Sequence, residues 1–423
     1  MRTISLLSEQ PGGLTPDEIR ASLIASLEDI RPSLKKVMLI VPDITRNQSG
    51  SGLIANLLYH ELEPDVHVDV LPAIGTHVPM TEEEAASMYG DIPFERFIVH
   101  NWRTEVVSLG EVPAELVHEL SEGAMDNAVP IQVNRHLLDE SYDLLLSIGQ
   151  VVPHEVVGMA NYTKNVVVGA GGEGMINNSH YLGAVYGMER LLGKDHSPVR
   201  KLYDYAQEHM LKDMPLAYIL TVTTAGASDV SIHGMFAGKD RKSFEEAVVL
   251  SQEKNIIHMP EPLDKVVVWL DPEEFHSTWV GNKAVYRTRM AIADGGELIV
   301  LAEGVDKFGE DEAIDELIQK YGYTGRDHII EMTNENEELR DNLSASAHLI
   351  HGSSDGRFTI TYCTKHVSEE AIRNVGYEYM PYDEAAERYL PESMSDGYYK
   401  LEDGERYYFI KNPALGNWQY DGN

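Results

Sequence analysis

Runs of apolar residues alternate with amphipathic segments along the first half of the chain. KKVMLIVPD at 35–43 is almost continuously apolar and ends in Pro-Asp, which predicts a buried strand. VHVDVLPAIGTH at 66–77, ERFIVHNW at 95–102 and YDLLLSIGQVVPH at 142–154 repeat this pattern. Between the first two, SGLIANLLYHELE at 51–63 has apolar residues at helical spacing. Strands that alternate with helices predict a parallel α/β architecture.

A second block with the same character begins near residue 258. KVVVWLD at 265–271 predicts a buried strand that ends in an acid, and a polar, aromatic helix follows it. A Gly-Gly turn at 295–296 then leads into another buried strand. The tyrosine-rich tail from about residue 385 contains turn signals and predicts a hairpin or an extended segment that covers the domain. We therefore predict two α/β domains with mostly parallel sheets, at residues 1–258 and 259–423.

Composition narrows the class of function. The chain has 423 residues, 43% of them hydrophobic, and a formal net charge of −35, which disfavours nucleic acid and anionic membranes as partners. The first residues lack a signal peptide and no window is apolar enough to span a membrane, so we expect a cytoplasmic protein. The single cysteine, Cys363, excludes an internal disulfide and a cysteine-built metal cluster. A metal would need His, Asp or Glu, or donors from outside the protein.

Polar clusters follow the predicted strands. Ligands of open α/β sheets bind beyond the carboxyl ends of the strands, so we expect 43–46, 75–77 and 153–164 to share one crevice. Histidine is the side chain best suited to exchange protons near neutral pH, and His77 and His154 therefore form a candidate acid/base pair. Alternatively, each of the two imidazoles hydrogen-bonds the backbone of its own loop.

The stretch PHEVVGMANYTKNVVVGAGGEGMINNSH at 153–180 is too rich in glycine for a plain helix and predicts a binding loop. GAGGEG at 169–174 lacks the Gly-Lys-Ser/Thr ending of a phosphate-binding loop, and it is a weak match to a dinucleotide fingerprint. Three roles are then open for Lys164: a functional amine, a solvated loop lysine or a contact to a phosphate.

Three segments together resemble the lactate racemase family, whose enzymes use a nickel-pincer nucleotide: PDITR at 42–46, GTHVPMTEEE at 75–84 and the 153–180 stretch. The resemblance covers most of the first 185 residues, and the His, Lys, His spacing at 154, 164 and 180 is its most specific part. It implies an N-terminal cofactor-binding domain and a C-terminal domain that closes the active-site cleft between them.

The resemblance also implies roles for individual residues. Lys164 would carry nickel-pyridinium-3-thioamide-5-thiocarboxylic acid mononucleotide through a thioamide, and His180 would ligate the nickel. His77 and His154 would be the paired acid/base residues. The remaining implied contacts are Arg46 for the substrate, and Asp43, Thr45 and Gly75 beside the cofactor.

Two departures from the family pattern bear on cofactor and substrate. Family members often carry a glycine pair before the tethering lysine, whereas Asn161, Tyr162 and Thr163 precede Lys164 here. The expected substrate segment of the second domain is rich in polar and cationic groups, which favours a polar 2-hydroxy acid because unpaired buried polar groups are costly. Alternatively, these residues bind the cofactor phosphate or the domain interface. The candidates are His276, Trp279, Lys283 and Arg287.

These features predict an isomerase that inverts C2 of a polar 2-hydroxy acid such as an aldonate, by hydride transfer to and from the nickel-pincer nucleotide. Its partners would be the small-molecule acid and the cofactor-maturation enzymes. The alternatives are a lactate or malate racemase, a nickel-cofactor carrier without racemisation, and an NAD-dependent α/β dehydrogenase. The dehydrogenase is disfavoured because the only glycine of VPDITRNQSG comes too late for a dinucleotide fingerprint.

Overall fold

The structure, a computed structural model, describes residues 1–225 and 230–422. The chain forms two compact units. The first unit comprises Met1–Leu182 and Leu191–Asn255, and the second comprises Gly183–Arg190 and Ile256–Asn423. No sequence signal marks the excursion of 183–190 into the second unit.

The first unit is built on one central sheet with shorter strand pairs beside it. Its strands are β1 (Ile4–Leu7), β2 (Lys36–Val41), β3 (His67–Pro72), β4 (Val106–Val112), β5 (Val129–Asn134), β6 (Leu144–Gln150), β7 (Pro153–His154), β8 (Gly158–Met159), β9 (Leu216–Ala225) and β10 (Val230–Gly238).

The central sheet has the strand order β1-β10-β9-β6-β2-β3. Strands β9, β6, β2 and β3 are parallel, whereas β10 and β1 are antiparallel at one edge. Residues 37–41 of β2 are all fully buried, as expected for a strand covered on both faces. The predicted α/β class with a mostly parallel sheet is confirmed.

Helices connect and cover these strands. Those that begin before residue 256 are α1 (Pro16–Leu27), α2 (Ser51–Leu62), α3 (Glu82–Tyr89), α4 (Ala114–Leu120), α5 (Glu173–Tyr186), α6 (Met188–Leu191), α7 (Pro198–His209) and α8 (Arg241–Asn255). Short 3₁₀ turns cover Arg31–Ser33, Ile44–Ser49, Phe94–Arg96 and Arg135–Leu138, and one π-helical turn covers Asn165–Gly169.

The segment 95–102 is not a strand, contrary to the sequence prediction. It follows the 3₁₀ turn Phe94–Arg96 and pairs with β3 only through a single bridge between Phe97 and Val70. The ring of Phe97 lies 5.6 Å from that of Tyr89 and 5.9 Å from that of Phe94. The apolar residues of 95–102 therefore pack beside edge strand β3 instead of forming a further strand of the sheet.

The second unit has its own sheet, in the order β15-β14-β13-β12-β17-β16. Its pairs are parallel except for β16 and β17, which form a hairpin, one of the two structures predicted for the tail. Its strands are β11 (Ile257–His258), β12 (Leu263–Trp269), β13 (Ile292–Ala302), β14 (Thr359–Thr364), β15 (Glu378–Tyr379), β16 (Gly397–Lys400), β17 (Arg406–Ile410) and β18 (Trp418–Gln419).

Short helices complete the second unit, and one 3₁₀ turn covers Pro413–Leu415. Within the described ranges, we find no helix with the length and apolar character needed to cross a membrane. The helices of the second unit are α9 (Thr278–Gly281), α10 (Lys283–Thr288), α11 (Glu312–Tyr321), α12 (Arg326–Glu335), α13 (Glu337–Asp341), α14 (Leu343–His351), α15 (Glu369–Asn374) and α16 (Tyr382–Tyr389).

Two local predictions in this unit are wrong. The expected Gly-Gly turn lies inside β13, where Gly295 has a φ of +79° and the register against β12 shifts between Leu263 and Lys265. The glycines therefore allow the local irregularity in this long strand. The expected polar, aromatic helix is divided at Asn282 into the short helices α9 and α10.

The contact between α2 and α3 yields a stability prediction. A Cβ at Gly52 would lie 2.0 Å from the carbonyl oxygen of Met88, so Gly52→Ala should destabilise the protein by about 1–3 kcal/mol through overpacking. Alanine normally favours a helix by about 1 kcal/mol over glycine, so a net loss reports this contact. Thermal and urea denaturation measure it. Gly12→Ala is the control, because no atom lies within 4 Å of its added Cβ. Equal stability of the two variants would contradict the contact.

Candidate active site

The carboxyl ends of three neighbouring parallel strands carry the candidate residues of the first unit. Asp43 follows β2, His77 follows β3, and His154 follows β6 within the short strand β7. Because β2 lies between β6 and β3, the three loops emerge at the same edge of the sheet. The structure directly joins two of them, since His77 Nδ1 lies 2.5 Å from Asp43 Oδ2.

Asp43 is a buried carboxylate that orients His77. Its side chain is 5% exposed, whereas that of His77 is 44% exposed. Burial alone would raise the pKa of Asp43, but the hydrogen bond and charge of His77 and the hydrogen bond from Thr45 hold it below its usual value. Thr45 donates both its backbone N–H and its hydroxyl to Asp43 Oδ1. The carboxylate is therefore ionised and accepts a hydrogen bond from Nδ1–H of His77, which leaves the lone pair of the ring on Nε2.

Arg46 and Gly75 border the same edge. Arg46 is exposed, and its guanidinium lies close enough to Lys164 to lower the pKa of that amine. Gly75 has a φ of +58°, a left-handed conformation that favours glycine, and its N–H donates to the carbonyl of Gly169 at 2.8 Å. Gly75 therefore links the loop after β3 to the π-helical turn that follows Lys164.

The residues before Lys164 adopt a conformation that glycine would adopt easily. Asn161 has a φ of +66° and Tyr162 a φ of +59°, both left-handed and uncommon for residues with side chains. Asn161 Oδ1 accepts the N–H of Tyr162 at 2.7 Å, a local bond that suits Asn in this region. Asn161 and Tyr162 therefore occupy backbone conformations that usually favour glycine, three and two residues ahead of Lys164.

Helix α7 holds this strained segment in place. Arg200 is fully buried, and its Nη2 donates to the carbonyls of Met159 at 2.7 Å and Asn161 at 3.1 Å. Gln207 lies seven positions further along the helix and accepts the hydroxyl of Thr163 at 3.3 Å. Positions i and i+7 share one helix face, so both contacts come from the face that is turned toward the loop.

Aromatic packing anchors the same segment. The ring of Tyr162 lies 4.3 Å from that of Tyr218 and 5.2 Å from that of Phe244. The guanidinium of Arg200 lies 4.4 Å from the centre of the Phe244 ring, within cation–π distance. Lys164 therefore projects from a rigid support.

Lys164 directly precedes the π-helical turn, a type of turn that often occurs at functional sites. Desolvation is the main cause that lowers the pKa of Lys164 to about 8, and the charge of Arg46 adds to it while Glu155 opposes it. The residue as a whole keeps some solvent exposure, and it is the amine that the surrounding protein desolvates. The lowered pKa therefore increases the fraction of this amine that is unprotonated, and nucleophilic, near neutral pH, although the charged form still predominates at pH 7.

His180 on α5 has the hydrogen bonding of a metal ligand. Its Nδ1 donates to the carbonyl of Ile176 at 2.6 Å, which leaves the lone pair on Nε2. Desolvation lowers the pKa of His180 to about 4, and the charge of Lys164 lowers it further against the effect of the Ile176 carbonyl. The imidazole is therefore neutral at physiological pH, and it lies within electrostatic range of the Lys164 amine.

His154 differs from His77 in its surroundings. It is buried, and its Nδ1 accepts the backbone N–H of Val156 at 3.1 Å. Bonding to the backbone of its own loop was the alternative that the sequence left open, and for His154 this bond is present. His77 instead bonds a carboxylate on a neighbouring loop.

The glycine run after Lys164 serves close packing. An added Cβ would lie 1.9 Å from the carbonyl of Val167 at Gly171, 2.4 Å from Gln132 Oε1 at Gly172, and 2.2 Å from the ring of Pro130 at Gly174. These glycines allow the start of α5 to approach β5. The absence of a side chain at these positions gives a structural reason for the glycine run that is independent of phosphate binding.

The four substrate candidates of the second domain lie in the second unit. His276 is exposed, and Lys283 Nζ lies 5.6 Å from the ring centre of Phe275. Trp279 packs 4.4 Å from the ring of the buried His348, so it also has a role in the core of this unit. Arg287 is partly exposed on α10. The assignment of these residues to the substrate stays a prediction.

Sequence reasoning missed Arg200 and Gln207. A signal was present, because Arg200 falls among Val199, Leu202 and Tyr203 on the buried stripe of α7. A charged residue in the apolar stripe of an amphipathic helix requires a buried partner. The partner itself, a pair of backbone carbonyls, has no side-chain signature in the sequence.

The charge on Lys164 should destabilise the apoprotein. The folded-state pKa of about 8 lies below the ordinary value of 10.5. The buried charge therefore destabilises the folded protein fully below pH 8, and this destabilisation disappears as the pH rises toward 10.5. Lys164→Met should therefore raise the free energy of unfolding at pH 7 by about 2–3 kcal/mol. Urea denaturation from pH 7 to pH 10 should show this gain shrinking. The exposed Lys212→Met is the control, and a gain that is constant with pH would contradict the assignment.

Comparisons with known proteins give one similar family model and two similar solved folds. Residues 18–190 match the family model described as the lactate racemase N-terminal domain. A crystal structure of a Thermotoga maritima protein superposes with a TM-score of 0.81 at 22% identity, over 98% of this chain and 100% of the other. The lactate racemase apoprotein of Thermoanaerobacterium thermosaccharolyticum gives a TM-score of 0.72 at 18% identity, over 96% of this chain and 92% of the other. No curated protein sequence matches. Residues 18–190 are therefore similar to the N-terminal domain of the lactate racemase family, and the chain shares the fold of the two solved structures.

Proposed function

We propose that this protein is an isomerase that inverts C2 of a polar 2-hydroxy acid and carries a nickel-pincer nucleotide on Lys164. The observation that carries the proposal is the pairing of a lysine amine of lowered pKa with a neutral histidine whose Nε2 is a lone-pair donor. These two groups belong to the same unit as the Asp43–His77 pair, and the charge of Asp43 acts to raise the pKa of Lys164.

The residues present fit the proposed cofactor. The lowered pKa of the Lys164 amine favours the unprotonated form that a thioamide tether requires, and His180 offers one nitrogen donor to nickel. Among residues 1–225 and 230–422, no group of three or more His, Cys, Asp or Glu side chains is arranged to hold a metal ion. The other nickel donors would therefore be the carbon and sulfur atoms of the cofactor. When bound, the nucleotide supplies a group that accepts hydride and returns it.

Hydride removal suits this substrate because the hydrogen on Cα of a hydroxy acid is a very weak acid. The protein itself then has to accept the hydroxyl proton and bind the carboxylate of the substrate. His77 Nε2 is the proton acceptor, and the buried Asp43 carboxylate stabilises the imidazolium that forms. Arg46, exposed at the same edge, is the partner proposed for the substrate carboxylate.

The substrate class rests on the second-unit residues. His276, Lys283 and Arg287 offer hydrogen-bond donors and positive charge, which a methyl group such as that of lactate cannot use. Trp279 adds an aromatic face with one donor. An aldonate or a dicarboxylic 2-hydroxy acid would satisfy more of these groups, and we therefore favour it over lactate.

Mass and metal analysis test the cofactor assignment. Protein produced in a host that makes the cofactor should show a covalent adduct on Lys164 in peptide maps and one bound nickel. His180→Ala should retain the adduct and lose the nickel, because the tether and the ligand are different residues. His196→Ala, at an exposed histidine, should lose neither. An unmodified Lys164 in active enzyme, or nickel retained in His180→Ala, would contradict the assignment.

Turnover of substrates labelled with deuterium on Cα tests the reaction. The holo enzyme should invert C2 with most of the label kept on Cα, because hydride on a cofactor does not exchange with solvent. The ratio kcat/KM for gluconate-type acids or malate should exceed that for lactate by about 10⁴-fold, as expected of a site that hydrogen-bonds distal groups. Washout of the label into water would contradict hydride transfer, and equal turnover of lactate would contradict the substrate class.

A further inference from the structure

Three buried tyrosines form a stack in the core of the second unit. The ring of Tyr377 lies 4.6 Å from that of Tyr323 and 5.0 Å from that of Tyr362, and the planes differ by only 10° and 9°. All three residues are at most 5% exposed. Packing alone would be served by phenylalanine, because a buried hydroxyl is costly unless it is hydrogen-bonded. The partners of the three hydroxyls therefore indicate what the stack does.

Two of the three hydroxyls bond the substrate segment, residues 276–287, which contains the four substrate candidates of the second domain. Tyr323 Oη lies 2.8 Å from Oγ1 of Thr278, the first residue of α9. Tyr362 Oη donates to Oδ1 of Asn282 at 2.8 Å. Asn282 is the residue that divides α9 from α10. The stack therefore anchors this segment both at the start of α9 and at the break.

The hydroxyl of Tyr323 belongs to a chain of hydrogen bonds with one direction. Thr278 donates its hydroxyl to the carbonyl of Phe308 at 3.0 Å, and Tyr323 Oη lies 3.0 Å from His348 Nε2. Each hydroxyl has one proton, so all three bonds form together only when His348 donates to Tyr323 and Tyr323 donates to Thr278. The ring of His348 also packs 4.4 Å from that of Trp279. Removal of the Tyr323 hydroxyl would therefore disturb both contacts beside Trp279.

Two glycines give these groups room to approach. A Cβ at Gly281 would lie 3.2 Å from Tyr362 Oη. A Cβ at Gly352 would lie 2.5 Å from the ring of Tyr323 and 2.5 Å from Nδ2 of Asn282. Gly352 has a φ of −76°, which any residue can adopt, so glycine is needed there for space and not for its backbone freedom. The segment and the stack are thus fitted closely to each other.

We propose that the hydroxyl groups of Tyr323 and Tyr362 are positioning groups for the substrate segment. They hold the break between α9 and α10, and they thereby set the directions of Trp279 and Lys283. Each anchored residue of the segment directly precedes one of these two side chains in the sequence. The inference rests on the proposed function, which assigns both side chains to the distal polar groups of the substrate.

Hydrogen exchange of the apoprotein tests the anchoring without cofactor or turnover. Tyr323→Phe and Tyr362→Phe should each raise the exchange rate of peptides covering 278–288 by about 10-fold, because the bond that holds the segment is lost. Tyr377→Phe is the matched control, since it belongs to the same buried stack but its hydroxyl donates to the carbonyl of Gly352 at 2.8 Å, outside the segment. Unchanged exchange in the first two variants, or an equal rise in the control, would overturn the inference.

Thr278 allows the same bond to be removed from its other end. Thr278→Val has nearly the same shape without the hydroxyl, and it should raise exchange at 278–288 as Tyr323→Phe does. The double variant should resemble the more affected single variant, because both changes remove one shared bond. Thr278→Ser keeps the hydroxyl and should behave as the wild type. Additive effects in the double variant would overturn the inference.

Steady-state kinetics of the holo enzyme test the consequence for the substrate. Tyr323→Phe and Tyr362→Phe should raise KM for a gluconate-type acid about 10-fold and keep kcat within about 3-fold, because the distal groups are bound but do not react. Lactate lacks those groups, so its inhibition constant should stay within about 2-fold of the wild-type value. Tyr377→Phe should leave all three quantities unchanged. A lower kcat with weaker lactate binding, or an equal change in the control, would overturn the inference.

Adduct and nickel contents equal to those of the wild type are required in each variant, so that cofactor loss is not read as lost substrate binding. A wild-type holo enzyme that inverts no 2-hydroxy acid would overturn the proposed function. The exchange rates at 278–288 in the apoprotein would then still confirm or overturn the anchoring of the segment by the two hydroxyls.

Discussion

The site depends on one constraint, the parallel pairing of β6, β2 and β3. Parallel strands end at the same edge, so three loops that are distant in the sequence deliver Asp43, His77 and His154 to one place. The hydrogen bond between Asp43 and His77 joins two of these loops and sets the proton of one imidazole. Without this order of strands, the same side chains would be unrelated surface groups.

Burial then gives each group its chemistry. Desolvation lowers the pKa of both Lys164 and His180, which favours an amine that can react and an imidazole that can ligate metal. The rigid support under Lys164 includes the fully buried Arg200, which holds two carbonyls of a left-handed segment. These features oppose stability, since charge is buried and backbone is strained, and such features concentrate at functional sites.

Several local predictions were wrong for the same physical reason. The apolar residues of 95–102 predicted a strand, but their rings pack beside β3. The paired glycines at 295–296 predicted a turn, but they lie within β13. In both cases an apolar or flexible residue is compatible with more than one structure, and the neighbours that decide between them are far away in the sequence.

The sequence by itself determined the α/β class, the order of strands and helices near the site, and the residue types at the strand ends, because periodicity and turn chemistry are local. Only the tertiary structure decided that Asp43 supports His77, that the backbone N–H of Val156 bonds to His154, and that Arg200 supports the segment before Lys164. Tautomers and pKa values depend on which groups meet and how much water is excluded. Both are properties of contacts between distant segments, which no local pattern of residues encodes.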